Sequence, residues 1–257
     1  MEKNIKTTIC ILSYNNPLMT DRLFDNLNSI IATPYNIIVY DNGSDADKIS
    51  KHTTHRGLTN CRMVGGFNEI IKITNKEYPD SEYFWFFTND CYFVTKEIDV
   101  LDNMLKKFNQ YSDIGILHPS LHEDVNVCYP GVKNTKTSGL KIVNMYDFVC
   151  PMISKKCLDS IGKEFNKDFY VGWGVEWETS YLARANGFKV AINNELIVMH
   201  NTSTTYDNNL DSDYRNRNSY YDAAGKEMHI VLNKKYGSNW HNKFSLEYLD
   251  KVGEWYE

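Results

Sequence analysis

Two short acidic signatures stand out, each placed directly after a run of apolar, β-forming residues. Asp41-Asn42-Gly43-Ser44-Asp45 follows Ile37-Ile38-Val39-Tyr40, and Thr88-Asn89-Asp90 follows Tyr83-Phe84-Trp85-Phe86-Phe87. In an open parallel α/β sheet, ligands bind beyond the carboxyl ends of the strands, so carboxylates at two strand ends can converge on one crevice. Such a crevice suits a nucleoside diphosphate with a divalent cation, because hard cations take oxygen ligands and bridge carboxylate to diphosphate.

Positioning those residues requires a βαβ start. Thr7 to Leu12 reads as a buried strand closed by the turn-forming Ser13-Tyr14-Asn15-Asn16-Pro17. Leu18 to Ile31 has helical spacing at Leu23, Phe24, Leu27, Ile30 and Ile31, and Ile37 to Tyr40 is the next strand. A right-handed crossover then sets the two strand ends side by side. Gly65-Gly66-Phe67-Asn68 is expected just before a helix that starts near Glu69. Glycines there permit close approach of a ligand to the backbone, and simple tight packing explains them equally.

Tyr83 to Phe87 reads as a strand covered on both faces, Asp99 to Tyr111 as a helix and Ile114 to Leu117 as a strand. The polar stretch from His118 to Asn144 reads as loops or short edge strands. Cys157 to Gly162 closes a short helix, and Thr179 to Asn186 reads as a helix stopped by Gly187. Lys189 to Ile192 and Leu196 to Met199 are expected as separate strands, and Tyr214 to Tyr236 as an amphipathic helix ended by Gly237. The fold class is α/β, a mostly parallel, Rossmann-like sheet flanked by helices. A main domain over 1–205 is expected, followed by a helical extension over 206–257.

Composition excludes several classes. The 257 residues are 42% hydrophobic and 24% charged, values of an ordinary globular chain, and 14% aromatic, which suits a ring-rich core or sugar-binding surfaces. A net charge of -5 gives no global basic footprint for nucleic acid. Arg215, Arg217, Lys226, Lys234, Lys235 and Lys243 make the tail locally basic, as a solvated helical face or as a contact for a phosphate-bearing acceptor or acidic membrane. Cys10, Cys61, Cys91, Cys128, Cys150 and Cys157 lack the short paired spacings of zinc sites, so reduced thiols in the cytoplasm are expected. No apolar run reaches a bilayer-spanning length, and the polar Met1 to Lys6 leaves no room for a signal peptide. Asn42-Gly43-Ser44 and Asn201-Thr202-Ser203 match the N-glycosylation pattern but fall beside site candidates, where a glycan would obstruct a cleft.

Taken in order, Ser13-Tyr14-Asn15, the Asp41 loop, Gly65-Gly66-Phe67-Asn68, Thr88-Asn89-Asp90, Gly172 to Glu178 with Arg184 and Gly187, and His200 resemble the family 2 glycosyltransferases of GT-A type. The resemblance covers about four fifths of the chain, within a few residues at its boundaries. It implies a donor site for a nucleoside-diphosphate sugar built from Ser13, Tyr14, Asn15, Asp41, Gly65, Gly66, Asn68, Asn89 and Asp90. Asp41 would hold the base or ribose, while Asp90 and His200 would hold Mn2+ or Mg2+, imidazole favouring manganese. The family motif usually carries two aspartates, and this chain has Thr88 at the first place.

The resemblance also places the general base at Glu176, with Glu178 second, both working on one side of the site. An inverting transfer needs a base to take the acceptor hydroxyl's proton. Trp173 and Trp177 would desolvate that base or face an acceptor sugar. The implied acceptor is a glycan, a lipid-linked sugar or another polymer, modified viral DNA among them. Each signature also has a plain reading: a tight turn for the Asp41 loop, a strand-end carboxylate for Asp90, a helix start for the glutamates and a structural imidazole for His200. A glycoside hydrolase would need its carboxylates across a scissile bond, and a nucleotidyltransferase a glycine-rich basic loop, which Ser13 to Pro17 is not. A non-catalytic nucleotide-sugar-binding module is the remaining alternative.

Overall fold

A computed structural model describes residues 5–127, 129–201, 217–246 and 255–256. The elements run β1 (Thr7–Ser13), α1 (Pro17–Ile30), β2 (Asn36–Asp41), β3 (His55–Arg56), α2 (Arg62–Glu77), β4 (Tyr83–Thr88), β5 (Cys91–Phe93), α3 (Val100–Gln110) and β6 (Ile114–Leu121). A 3-10 turn at Pro130–Val132 precedes β7 (Leu140–Ile142), β8 (Met152–Ser154), α4 (Lys155–Ser160), α5 (Val175–Ala185) and β9 (Lys189–His200). Then come α6 (Arg217–Tyr236), α7 (Trp240–Leu246) and β10 (Trp255–Tyr256).

Among the described residues these strands form one sheet in the order β10-β7-β9-β6-β8-β4-β1-β2-β3, with β5 added against β9. The half that holds β3, β2, β1 and β4 is parallel. β8 runs antiparallel between β4 and β6, and β9 lies parallel to β6. The register aligns Ser13 with Asp41, and Leu12 with Thr88, so three strands end at one edge.

Packing follows from the apolar spacing. Leu23, Leu27 and Ile30 of α1 and Val100, Leu101, Met104 and Phe108 of α3 are buried, one stripe per helix. In β4, Phe84, Trp85, Phe86 and Phe87 are all buried, and each fully buried large side chain contributes about 1.5–3 kcal/mol. The Trp85 indole donates to the Cys150 carbonyl at 3.1 Å, satisfying its one polar atom. Gly66 lies inside α2, where a Cβ would come within 2.4 Å of the Leu12 side chain, so its smallness lets the helix lie close on β1.

Four boundaries differ from the sequence reading. α2 begins at Arg62, which places Gly65 and Gly66 within the helix instead of before it. β6 continues through His118, Pro119 and Ser120, whose polar groups bond internally: the Ser120 hydroxyl donates to the Leu196 carbonyl at 2.8 Å. The two expected strands of residues 189–199 are one, β9, because α3 serves its polar middle: Asn103 and Lys107 donate to Glu195 at 2.8 and 2.6 Å, and Asn193 donates to Asn103. α5 begins at Val175, four residues ahead of Thr179, behind Gly174 with φ +96. The boundary expected at 205/206, the start of the tail helix at Tyr214, and Cys128 lie outside the described residues. No helix among the described residues is long and apolar enough to cross a membrane.

Asp99 ties α3 to the end of α1. Its Oδ1 accepts from the amides of Leu101 and Asp102, and its Oδ2 from the amides of Ala32 and Thr33 and the Thr33 hydroxyl. Burial raises its pKa, but the hydrogen bonds to the charged form outweigh burial and leave it below the usual value. The stabilisation is therefore present above the unfolded carboxyl pKa and is lost as pH falls through the lower folded value. Asp99→Ala should cost about 2 kcal/mol at neutral pH by urea unfolding and far less in acid.

Candidate functional site

The loops after β1 and β2 are fastened to each other. Asn15 sits at φ +49, its amide donates to Ser44 Oγ at 2.8 Å, and its side-chain oxygen accepts from the Asp45 amide at 2.8 Å. The Asn42 amide donates to the Ser13 carbonyl at 2.8 Å, and its side chain donates to Asn60 and to the Arg62 carbonyl. Gly43 takes φ +81 with its Cα so close to the backbone of Thr59 that a Cβ would meet it at 2.5 Å, a place only glycine fills. Asn42 is buried in this network, which makes the Asn42-Gly43-Ser44 pattern a structural turn with no room for a glycan.

Asp41 is wholly buried. One oxygen accepts from the Ser44 amide and hydroxyl, and the other lies 3.0 Å from Arg56 Nε. Arg56 also donates to the Ser44 carbonyl at 2.6 Å. A ligand reaching Asp41 has to share it with Arg56. Ser13 and Asn89 are likewise engaged, both bonded to the Thr20 hydroxyl, at 2.7 and 3.0 Å. Tyr14 is partly exposed on the same loop.

β5 pairs with β9 so that Cys91 lies opposite His200, and the Asn201 amide donates to the Asp90 carbonyl at 2.8 Å. This brings His200 Nε2 to 3.3 Å from Asp90 Oδ1. That oxygen is buried, and its contact with His200 is an ion pair that falls short of a well-directed hydrogen bond. Burial alone would lower the His200 pKa, but the adjacent Asp90 carboxylate, with the charge of Asp147, leaves it raised. A buried carboxylate oxygen short of hydrogen bonds beside an imidazole is a donor set that fits Mn2+ and, less well, Mg2+. No cluster of three or more metal-binding side chains occurs among the described residues, so a cation held here would take its other ligands from substrate oxygens and water.

Glu176 stands in the first turn of α5. Burial pushes its carboxyl up to about 8, the charge of Asp147 adds to the rise, and hydrogen bonds from the Glu176 and Gly174 amides oppose it. Some of the residue remains open to solvent, although protein surrounds it on most sides. A carboxylate with that basicity is matched to proton abstraction near neutral pH.

Glu178 does not share this side, a correction that follows from the earlier start of α5. Residues two apart on a helix point about 200° apart. Glu178 is buried on the far side, where it accepts from the Tyr236 hydroxyl at 2.8 Å and from Asn166 at 3.3 Å, and pairs with Lys235 at 2.9 Å. Burial and Glu178 together push the Tyr236 phenol up. The tryptophans turn towards the tail as well: Trp173 packs on Tyr221 at 5.3 Å, and Trp177 meets Trp240 edge-on at 5.7 Å. Asn68 also lies apart from the cleft, buried with its amide bonded both ways to the backbone of Phe165 at 2.8 Å.

The structure thus brings Ser13, Tyr14, Asn15, Asp41 and Asn89 to one sheet edge, with the Asp90–His200 pair alongside, while Glu176 stands in the first turn of α5. Gly65 and Gly66 give α2 close contacts with Cys61 and Leu12, Asn68 holds the Phe165 backbone, and Glu178, Trp173 and Trp177 tie α5 and its lead-in to the tail helices. Sequence reasoning missed Arg56 and Asp147. Arg56 lies in a two-residue strand too short to register. Asp147 is an acid between the buried Tyr146 and Phe148, a signal that was present and unread.

The raised Glu176 carboxyl has a consequence for stability. Below about 4.5 the group is neutral in both states; between 4.5 and 8 it ionises only when unfolded; above 8 the folded chain must carry the buried charge. Glu176→Gln removes that penalty. The variant should match the parent in thermal unfolding near pH 4.5 and exceed it by about 2 kcal/mol above pH 8, short of the full shift because the residue keeps some solvent.

No protein-family model matches the sequence, and no curated protein does so. Solved structures do. GalNAc-T7 with UDP, GalNAc and Mn2+ matches at a TM-score of 0.59 and 12% identity, over 78% of this chain and 44% of that one. TarS of S. aureus matches at 0.60 and 12% identity, over 94% of this chain and 44% of that one. The mannosyltransferase PcManGT of Pyrobaculum calidifontis with GDP-Man and Mn2+ matches at 0.58 and 10% identity, over 95% and 74%. This chain spans less than half the length of the first two. At such identities the likeness is one of architecture: the chain has the GT-A fold of these glycosyltransferases.

Proposed function

We propose that this protein is a metal-dependent, inverting glycosyltransferase that moves a sugar from a nucleoside-diphosphate sugar to an acceptor hydroxyl. The observation that carries the reading is the Asp90–His200 pair just past the end of β4; the Glu176 carboxyl, raised to about 8, supports it as the base. The matched structures add support, since two of them hold a nucleotide or nucleotide sugar with Mn2+.

In this reading the β1 and β2 loops, fastened at Asn15–Ser44 and Asn15–Asp45, cradle the nucleoside, with Tyr14 and the Arg56-paired Asp41 beneath it. Asp90 and His200 hold the cation, which when bound offsets the charge that develops on the departing diphosphate. Glu176 accepts the proton of the acceptor hydroxyl as its oxygen attacks the anomeric carbon from the face opposite the leaving group. One base and one displacement invert the configuration. The imidazole among the cation's ligands favours Mn2+ over Mg2+. The acceptor is a hydroxyl-bearing glycan, lipid-linked sugar or other polymer.

Thermal-shift screening of nucleotide sugars with Mn2+ or Mg2+ tests this. A true donor at about 100-fold its Kd should raise Tm by several degrees, with Mn2+ the better cation. Asp90→Ala should abolish the metal-dependent part of the shift. Glu176→Gln should keep it while lowering kcat about 10²- to 10⁴-fold. Equal shifts with and without metal, or full turnover by Glu176→Gln, would defeat the reading.

A further inference from the structure

Residues 169–174 lead straight into α5 and so into Glu176. Two left-handed glycines, Gly172 at φ +115 and Gly174 at φ +96, sit in this short turn. Glycine has more backbone freedom to lose than any other residue, so a turn built on two of them is set by what grips it from outside. Two elements do so. On one side is the first turn of α2, where a Cβ on Gly172 would come within 3.0 Å of the Met63 side chain and the Arg62 guanidinium lies over the Tyr170 ring at 5.5 Å. The Arg62 carbonyl also receives the Asn42 side chain at 3.0 Å, which ties this wall to the loop after β2. On the other side is α6, which brings up Tyr220, Ala224, Glu227 and Met228, one stripe at i, i+4, i+7 and i+8.

That stripe meets the turn residue by residue. Tyr220 and Ala224 pack with Val171, and the Tyr220 hydroxyl donates to the Val171 carbonyl at 3.5 Å. A Cβ on Gly174 would meet Met228 at 2.7 Å. Between these contacts Glu227 accepts from the Val171 amide at 2.7 Å. Among the described residues no backbone carbonyl takes that amide, so a side chain on the tail helix supplies the bond that a buried backbone donor requires.

We propose that Glu227 is a positioning residue for the transfer: by holding the Val171 amide it fixes the glycine turn ahead of α5, and with it the place of the Glu176 carboxyl. The proposal rests on the glycosyltransferase reading, in which Glu176 is the base, and adds the tail helix to the parts the reaction needs. Misplacing a reacting group by about 1 Å can cost about 10²-fold in rate. A single bond that sets the turn therefore has leverage beyond its own strength.

The test uses the full chain with three variants of α6. Glu227→Gln keeps an acceptor oxygen at the same reach, Glu227→Leu removes it at similar size, and Asp222→Asn on the exposed side of the helix is the charge control. Two readings are taken of each. The first follows the Glu176 carboxyl by carbon-13 NMR against pH, its signal identified by its loss in Glu176→Gln. Parent, Glu227→Gln and Asp222→Asn should titrate near 8, whereas Glu227→Leu should fall by about one unit or more towards the ordinary value as water reaches the carboxyl. Asp147, whose charge also acts on Glu176, is unchanged throughout. The second reading is nucleoside diphosphate release from UDP-hexoses and GDP-mannose with Mn2+. Glu227→Leu should lower kcat about 10²-fold with donor binding by thermal shift unchanged, and Glu227→Gln should restore most of it. Should Glu227→Leu fail to fold, Glu227→Asp replaces it, since it keeps the charge but is one methylene too short for the Val171 amide. A Glu176 signal and kcat unchanged by Glu227→Leu, or a Glu227→Gln as impaired as Glu227→Leu, would overturn the role of Glu227 alone. A parent whose Glu176 titrates at the ordinary value and that releases no diphosphate would defeat the glycosyltransferase reading and this proposal with it.

Discussion

Much of the site depends on β1 being paired in parallel on both sides, with β2 and with β4. A strand flanked in this way fixes where its neighbours end, because slipping by one residue would turn every side chain to the opposite face. The core residues of β1 and β4 are buried on both faces, so position-specific fits such as Gly66 against Leu12 help to hold the register. Asp41 and Thr88 consequently reach the same edge within one residue of Ser13. The hydrogen bonds of Asn15 to Ser44 and Asp45 then close the edge into a single surface.

The antiparallel half of the sheet does a different job. β8 and β9 return chain from far away in sequence, β9 pairing with β5 just after Asp90, which sets His200 beside Asp90 and the backbone of Val149 on Thr88. The electrostatic outcome is uneven. His200 is raised because Asp90 more than offsets the cost of burial, whereas Glu176 is raised because burial is not offset. Two groups whose environments push them in chemically opposite senses, one towards staying charged and one towards staying neutral, divide the labour of a site.

The apolar runs made the β1–α1–β2 start and β4 legible in the sequence, and with them the acids that follow each strand. The side of the site on which Glu178 falls was not legible, since it depends on α5 starting at Val175, and that start is set by the left-handed Gly174 against Phe169 and Met228. β6 and β9 were cut short in the reading because His118, Asn193 and Glu195 look like loop residues until α3 and neighbouring carbonyls supply their partners. Gly65 and Gly66 resembled a ligand loop because closeness to a ligand and closeness to Cys61 or Leu12 ask for the same residue. Arg56 needed the third dimension, since its two-residue strand has no local pattern, whereas Asp147 stands between two aromatic residues and carried a local sign.

The buried carboxylate on the back of α5 limits how this protein can be divided. Glu178 draws its partners from Asn166 on one side and from Lys235 and Tyr236 on the other; Arg184 reaches the Phe244 carbonyl at 2.6 Å, and Glu227 receives the Val171 amide at 2.7 Å. Cutting the chain before residue 217 would strand one of these charges in an apolar seam and release the loop-to-helix turn at Gly174 that carries Glu176. Grafting a foreign tail, as one would when building chimaeras, would succeed only with a matching exchange at 166, 178 and 184, so these helices are inherited with the reactive half as one unit.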